Sequence, residues 1–209
     1  MTTGRTYGGE SAEDRATRRR IQLLNAGLEL FGTAGYRQAT VRQICREAGI
    51  TDRYFYEQFA STEDLLIAVY DVCVDRLAQA AVIAVGESEG GVVQIARAGL
   101  DALLGVVEDD PRLARVVWFE VLGVSARVEQ RYLSQMTTFG ELVVSLLGDR
   151  ESLREIGETE LRILADAAVG GISHAVVSWT VSDFQPPRVR LVESLATFLG
   201  GAASAFLQA

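Results

Sequence analysis

The chain has 209 residues, of which 48% are hydrophobic and 23% are charged, and its formal net charge is −8. This balance is typical of a globular protein with a sizeable core and excludes a disordered chain. The first residues contain no hydrophobic stretch that resembles a signal peptide, and no uncharged run reaches the roughly 18 apolar residues of a membrane span. We therefore expect a cytoplasmic protein with no membrane partner.

The charge is divided unevenly along the chain. Residues 1–60 carry nine Arg and seven acidic residues, net +2, whereas residues 61–209 carry eleven Arg and twenty-one acidic residues, net −10. The two parts sum to −8, and the chain contains no Lys. A basic N-terminal part favours nucleic-acid contact at that end, because the acidic remainder would repel a phosphate backbone. Cys45 and Cys73 both fall in helical patterns, so we expect small buried hydrophobes rather than a disulfide or a metal pair.

The first helix is preceded by a polar segment, residues 1–13, in which we expect a flexible arm. A basic cluster follows, consisting of Arg15, Arg18, Arg19 and Arg20. Two interpretations of it stay open, namely solvated charge on a helix and contact with phosphates or the minor groove. Four apolar residues at helical spacing then predict the buried side of this helix, Ile21, Leu24, Leu28 and Phe31.

Residues 40–59, TVRQICREAGITDRYFYEQF, predict two short helices joined by a tight turn. The first helix has one apolar face at i, i+3, i+4 and i+7, formed by Val41, Ile44, Cys45 and Ala48. Thr40 and Gln43 have the spacing of a capping box at its start. Gly49 follows its last residue, where a left-handed residue is favoured.

The second of these helices begins after Thr51 and directs Phe55 and Phe59 inward. A helix, a tight turn with Gly and another helix are typical of the helix-turn-helix motif, whose second helix enters the major groove of DNA. This motif is the strongest signal in the sequence.

Helical periodicity continues to the end of the chain. Further helices are predicted at about Ser61–Val85, Val92–Val107, Asp110–Phe119, Val128–Leu147, Thr159–Val181 and Pro187–Leu207, with a charged loop at 148–157. No segment alternates with period two. We predict an all-α fold of about nine helices, with a helix-turn-helix DNA-binding domain over residues 14–60 and a larger ligand-binding and dimerisation domain over 61–209.

The last two predicted helices are apolar around most of their circumference, which indicates burial on most sides. Four glycines lie within them, Gly170, Gly171, Gly200 and Gly201. Each costs about 1 kcal/mol relative to Ala inside a helix, so close helix approach is expected to compensate. We predict a homodimer through these two helices; the alternative is a monomer with an unusually deep core.

The N-terminal third resembles the tetracycline-repressor (TetR/AcrR-like) family of bacterial regulators. The segments that carry the resemblance are LNAGLELFGTAGYRQAT, TVRQICREAGIT and YFYEQFASTEDLL, within about residues 17–70. Beyond residue 70 only the number and lengths of the helices are similar. The resemblance implies a transcriptional regulator, commonly a repressor, whose partners are double-stranded operator DNA and a small-molecule effector. Four positions depart from the family pattern in the DNA-contacting segment, Asp52, Arg53, Tyr54 and Thr62.

The residues predicted to contact DNA are Thr40, Val41, Thr51, Asp52, Arg53, Tyr54, Tyr56 and Gln58. Hydroxyl groups at the helix starts and on Tyr56 suit phosphates. Arg53 suits guanine O6 and N7, and Tyr54 suits a thymine methyl group. Asp52 is compatible with a helix N-terminus and equally with cytosine N4. A dimer with two such heads predicts an inverted-repeat operator with half-sites ~34 Å apart, or a multiple of that.

The candidates for effector contact are Trp118, Phe119, Tyr132, Met136, Phe139, His174 and Trp179. For each of them taken individually, an ordinary core position is favoured over ligand contact. For His174 we favour a buried imidazole with one hydrogen-bond partner over ligand contact or pH sensing. One His and two distant Cys argue against a transition-metal site, and no cofactor is expected.

A competing interpretation is a helical bundle that binds a small acyl or aromatic molecule, or an enzyme, with a secondary DNA-binding head. An enzyme would need a nucleophile with its base, or paired carboxylates. Asp166 and His174 are two helical turns apart, too far for contact, and Glu120 is a single acid, so we expect no enzyme. A third interpretation, an adaptor for another protein, is disfavoured by Arg53 and the basic N-terminal end. Salt-dependent DNA binding separates these classes.

Overall fold

The computed structural model describes residues 11–147 and 157–207, and within these ranges the protein contains nine α-helices and no strand. The helices are α1 (Ala12–Thr33), α2 (Val41–Ala48), α3 (Asp52–Gln58), α4 (Thr62–Gly86), α5 (Val92–Asp109), α6 (Pro111–Arg115), α7 (Ala126–Leu147), α8 (Glu158–Val181) and α9 (Arg188–Leu207). A 3₁₀ turn, Tyr36–Gln38, follows α1, and a π-helical turn, Val116–Glu120, follows α6. The all-α prediction is confirmed.

The start of α1 differs from the prediction. Ser11 accepts a hydrogen bond from the Asp14 amide at 3.0 Å, and its own amide donates to the Asp14 carboxylate at 3.1 Å. This capping box begins the helix at Ala12, so the expected arm is wrong for residues 12 and 13. Residues 1–10 of that arm and 148–156 of the expected charged loop lie outside the described residues.

The termini of α2 are formed as predicted. The Gln43 amide donates to the Thr40 hydroxyl at 3.3 Å, and the Thr40 amide donates to the Gln43 side chain at 2.9 Å. Gly49 has φ of 67°, and the next amide, that of Ile50, donates to the Cys45 carbonyl at 3.0 Å. Both devices are local in sequence, and together they fix the angle at which the chain enters α3.

The buried side of α1 agrees in part with the prediction. Phe31 is fully buried as predicted, and Leu24 and Leu28 are partly buried and pack against the core. Leu23 is fully buried, whereas Ile21 is 52% exposed, so the prediction for Ile21 is wrong. The residues of α1 that are buried are Leu23, Ala26, Gly27 and Phe31. They pack against the apolar faces of α2, α3 and α4, and the buried Phe55 of α3 and Phe59 directly after it join them as predicted. This packing orients α3 on the outside of the head, which is formed by α1, α2 and α3.

The remaining helices form a body around long helix pairs. α4 packs along α5, α5 packs along α9, and α7 packs along α8. One buried apolar cluster extends from the head through α4 into the body, so a domain boundary at residue 60 stays a prediction. Both cysteines are free and buried, as predicted.

Among the described helices, α8 alone is long and apolar enough to cross a membrane by length and composition, with a mean hydropathy of 1.3. Of that stretch 28% is buried, and core helices of soluble proteins meet the same criterion. In this fold α8 packs against α7, and Asp166 lies on its exposed side.

Candidate functional site

The predicted DNA-contacting residues of α3 lie on the outer side of the head. Thr51, Asp52 and Arg53 are exposed, and Tyr56 is 61% exposed. Thr51 occupies the N-cap position, but its hydroxyl makes no capping hydrogen bond. On α2, the Thr40 hydroxyl donates to the Gln43 side chain at 2.7 Å, and Val41 is half-buried.

Two arginines of α1 orient α3, the second helix of the helix-turn-helix motif. The guanidinium of Arg19 lies 4.3 Å from the ring centre of Tyr54, and that of Arg20 lies 4.6 Å from the ring centre of Phe59. These are cation–π contacts, each worth on the order of 0.5–2 kcal/mol. Two members of the basic cluster therefore hold α3 against α1, a role that neither sequence interpretation included. The predicted base contact of Tyr54 stays a prediction, since one face of its ring lies against Arg19.

The Arg53 side chain is exposed to solvent, and a contact with Glu57 restricts its orientation. Its side chain is 85% exposed, and its Nε lies 3.3 Å from Oε1 of Glu57 one turn later. Glu57 also lies 4.0 Å from Arg19. This arrangement presents the Arg53 guanidinium at the surface while restricting its orientation, which suits a fork-shaped contact with guanine. Gln58, at the end of α3, is half-buried.

The body contains an apolar cavity of about 100 Å³. Its walls come from α4, α5, the π-helical turn, α7, α8 and α9, and none of the described residues that line it is ionisable. Trp118, Met136 and Phe139, three of the predicted effector contacts, line this cavity. Its other large side chains, including Leu100, Leu103, Val117 and Ile172, were missed because aliphatic residues in a helical stripe carry no sign of whether they face a cavity or a neighbour.

A second, wider depression of about 410 Å³ lies beside the cavity, between α7 and α8; we call it the α7–α8 groove. Tyr132 and His174, two further predicted contacts, line the groove. Trp118, Met136, Val169 and Ser173 line both spaces, so they form a common wall.

Two predicted effector contacts line neither space. Phe119 points outward from the π-helical turn and is 38% exposed. Trp179 is 2% exposed, and its Nε1 donates to the Pro186 carbonyl at 2.7 Å. Trp179 is therefore a core residue that holds the α8–α9 connection. The expectation of a buried His174 is also wrong, since the imidazole lies on the exposed side of α8.

Head and body meet closely where α1 crosses α6. A Cβ atom added to Gly32 would lie 2.4 Å from the Cβ of Arg112, which leaves no room for a side chain. The Arg112 guanidinium pairs with Glu29 of α1 at 2.6 Å and with Asp110 at 2.7 Å. The Arg112 guanidinium, outweighing burial, lowers the pKa of Asp110. Gly32 is thus required for this approach.

Glu120, at the end of the π-helical turn, forms a second contact between head and body. Its carboxylate accepts from the Tyr36 amide at 2.7 Å and from Arg115 Nε at 2.9 Å. Arg115 in turn donates to the Thr33 carbonyl at the end of α1. Trp118 belongs to the same turn, so one five-residue segment lines the cavity and also holds the head.

Comparison with known proteins agrees with this arrangement. Residues 23–69 match the family model described as bacterial regulatory proteins, tetR family. The chain is 22% identical over 180 residues to the fatty acid metabolism regulator protein of Bacillus subtilis, covering 86% of this chain and 92% of that relative. It is 30% identical over 116 residues to the transcriptional activator FasR of Mycolicibacterium smegmatis, covering 54% and 52%.

Solved structures share the fold. The structure of the regulator FadR from Bacillus subtilis, in complex with stearoyl-CoA, has a TM-score of 0.74 at 19% identity, covering 87% of this chain and 98% of that one. A helix-turn-helix head that matches the family model and a fold shared over most of the chain lead to one assignment. Residues 23–69 form a DNA-binding domain of the tetR type, and the chain is a DNA-binding transcriptional regulator.

Proposed function

We propose that the chain is a cytoplasmic, non-enzymatic repressor that binds an inverted-repeat operator as a homodimer and is released by a small, mainly apolar ligand. The observation that carries this proposal is the apolar cavity, whose wall includes Trp118 of the turn that holds the head. A cavity without ionisable groups selects for an apolar molecule. The complex of Bacillus subtilis FadR with stearoyl-CoA supports an acyl chain as one such molecule.

The proposed dimer surface is the outer side of α8 and α9. Ile163, Val181 and Phe198 are 61%, 72% and 50% exposed there. A Cβ atom added to Gly201 would meet nothing within 4 Å, so the fold of one chain does not use this glycine. A glycine that costs about 1 kcal/mol in a helix is accounted for if a second chain packs closely against it.

The dimer is tested by sedimentation of Phe198→Asp at micromolar concentration. We expect this variant to be monomeric, because a carboxylate would be buried without a partner at the interface. Val72→Asp is the matched control, since Val72 is 47% exposed on α4, and it should sediment like the parent chain. A parent chain that sediments as a monomer would remove the basis for an inverted-repeat operator.

The proposed release from DNA depends on the contacts between head and body. A ligand that enters beside Trp118 moves the π-helical turn, and Glu120 on that turn fixes the Tyr36 amide of the head. A small change in head orientation is enough to mismatch two adjacent major grooves, so the ligand favours the state that does not bind DNA. The relative FasR is named as an activator, so the outcome to exclude is the opposite sign of regulation, in which the ligand promotes DNA binding.

The DNA-binding proposal is tested by selecting bound sequences from random DNA with the purified chain, with Arg53→Ala and with Arg97→Ala. We expect the parent to enrich an inverted repeat and Arg53→Ala to lose preference at one base position in each half-site, a loss of about 1–3 kcal/mol. Arg97 lies on α5 in the body, where it forms a surface ion pair with Glu193, and its removal should leave the selected sequence unchanged. Weak binding without sequence preference would refute the proposal and favour a small-molecule-binding helical bundle.

A further inference from the structure

The cavity in the body is too small to hold the whole of a long-chain ligand. Its volume is about 100 Å³, and an engineered protein cavity of about 150 Å³ holds a molecule the size of benzene. A longer molecule that enters it must therefore continue beyond its wall. The α7–α8 groove, about 410 Å³, lies directly on the other side of that wall.

The wall between the two spaces is movable. Met136 lines both, and its sulfur atom is the acceptor of the Ser173 hydroxyl at 3.9 Å. A thioether is a weak acceptor, and an unbranched Met side chain changes rotamer easily. Rotation of Met136 would join cavity and groove and would free the Ser173 hydroxyl for a stronger acceptor.

A second polar group at the same wall lacks a partner. Trp118 is 9% exposed, and its Nε1 is buried without a hydrogen bond to any described residue. A buried donor left unpaired destabilises the fold, and an acceptor that reaches it recovers that loss. Ser173 and Trp118 are thus two under-used donors where a ligand would pass from cavity to groove.

The groove beyond the wall has an unusual charge for a family whose ligands include an acyl-CoA in one solved relative. Its ionisable lining residues are Tyr132, Asp166 and His174, and no Arg lines either space among the described residues. Phosphate and carboxylate groups are bound by Arg or Lys, and a carboxylate in the wall repels them. Hydroxyl, amide and ammonium groups, in contrast, donate to a carboxylate.

We infer that the effector is an amphipathic molecule whose apolar chain fills the cavity and whose polar end, lying in the α7–α8 groove, carries hydrogen-bond donors and no negative charge. Rotation of Met136 lets the chain pass, and Ser173 with Trp118 binds an oxygen acceptor at the junction. Asp166 selects an alcohol, amide or amine over a carboxylate or a phosphate ester. This inference rests on the proposed role of the cavity as the effector site.

The test uses four probes with chains of ten carbon atoms, namely 1-decanol, decylamine, decanoate and decanoyl-CoA, titrated calorimetrically into the purified full chain. We expect 1-decanol and decylamine to bind at least about tenfold more tightly than the two anions. Ser173→Ala should weaken 1-decanol binding about three- to tenfold. Asp166→Asn should weaken decylamine binding and strengthen decanoate binding, because the carboxylate that attracts the ammonium and repels the anion is lost. Ser194→Ala, whose hydroxyl donates to its own helix at 2.9 Å, is the control and should change neither.

Failure of this inference is distinguishable from failure of the proposed function. Leu103→Trp fills the cavity and should abolish binding of every probe; Val82→Trp, at a half-exposed cavity position, replaces it if the first variant does not fold. Tightest binding of decanoyl-CoA or decanoate, still abolished by the filling variant, would overturn the charge selection and leave the cavity as the effector site. Binding of no probe, or binding that the filling variant does not change, would overturn both.

Discussion

Replacing Gly32 by Ala should separate the head from the body. The new Cβ would lie 2.4 Å from the Cβ and 3.0 Å from the Cα of Arg112. Carbon atoms make optimal contact at about 3.5–4.0 Å, so α6 must move away from α1 by roughly 1 Å. The blocking atoms belong to the backbone and first side-chain carbon of α6, so no flexible side chain can turn aside.

The expected loss of stability follows from two opposing effects. Overpacking of a close contact costs about 1–3 kcal/mol. Ala in place of Gly within a helix recovers up to about 1 kcal/mol. We therefore expect the free energy of unfolding to fall by about 1–2 kcal/mol. The same shift moves α1 relative to α6 and so changes the orientation of the head on the body, and operator affinity should therefore fall as well.

Gly86→Ala is the matched control. Like Gly32, Gly86 lies at the C-terminal end of a long helix, but a Cβ there meets nothing within 4 Å. This variant should be as stable as the parent chain or slightly more stable. Urea unfolding followed by circular dichroism, at one fixed protein concentration, measures both variants. Equal stability of Gly32→Ala and Gly86→Ala would refute the close approach of α1 and α6.

Three further predictions concern the core and the joint. Trp179→Phe removes the donor to the Pro186 carbonyl and should lower the free energy of unfolding by about 2 kcal/mol. Trp118→Phe should lower it less, because the Trp118 Nε1 has no partner among the described residues, and urea titrations of the two variants measure the difference. Burial raises the pKa of Cys45 to about 11 and that of Cys73 to about 12, with smaller contributions from nearby carboxylates; iodoacetamide should therefore label both only after unfolding. Because the unfolded thiols lose their protons first, unfolding free energy should fall as pH rises from about 9 towards these values. Glu120→Gln keeps the shape of the side chain but loses the charge that binds Arg115, and DNA-binding titrations with and without ligand should show a smaller ligand effect with an intact fold.

The parts of the head that could be predicted from sequence are those whose physical cause is local. The capping box at Thr40 and the left-handed Gly49 involve residues within four positions of each other, so their residue types are sufficient. The buried side of α1 depends on other helices. Ile21 and Leu23 are both apolar, and several stripes at helical spacing pass through this segment, so the packing partners choose among them.

The effector contacts were harder to predict because a π-helical turn lies in the middle of them. In a regular helix each residue advances by a fixed angle, and a turn with one additional residue per hydrogen-bonded ring changes the face that follows. In this chain Trp118 faces the cavity, and its neighbour Phe119 faces solvent. No residue type in VVWFE predicts such a turn, so the sequence does not show which of the two aromatic residues faces the cavity.

The energies of the contacts between head and body indicate which of them can transmit an effector signal. The pair of Arg112 with Glu29 is 38% and 42% exposed, and ion pairs of this kind contribute about 0–1 kcal/mol. Loss of such a pair changes the head orientation little. The close contact at Gly32 and the hydrogen bond from the Tyr36 amide to the Glu120 carboxylate contribute more than these ion pairs. A steric clash at the first, or an unpaired buried group at the second, costs about 1–3 kcal/mol. A coupling of that size corresponds to roughly a 5- to 150-fold change in operator affinity. The signal is therefore expected to depend on close packing and on Glu120, while the surface ion pairs adjust its magnitude.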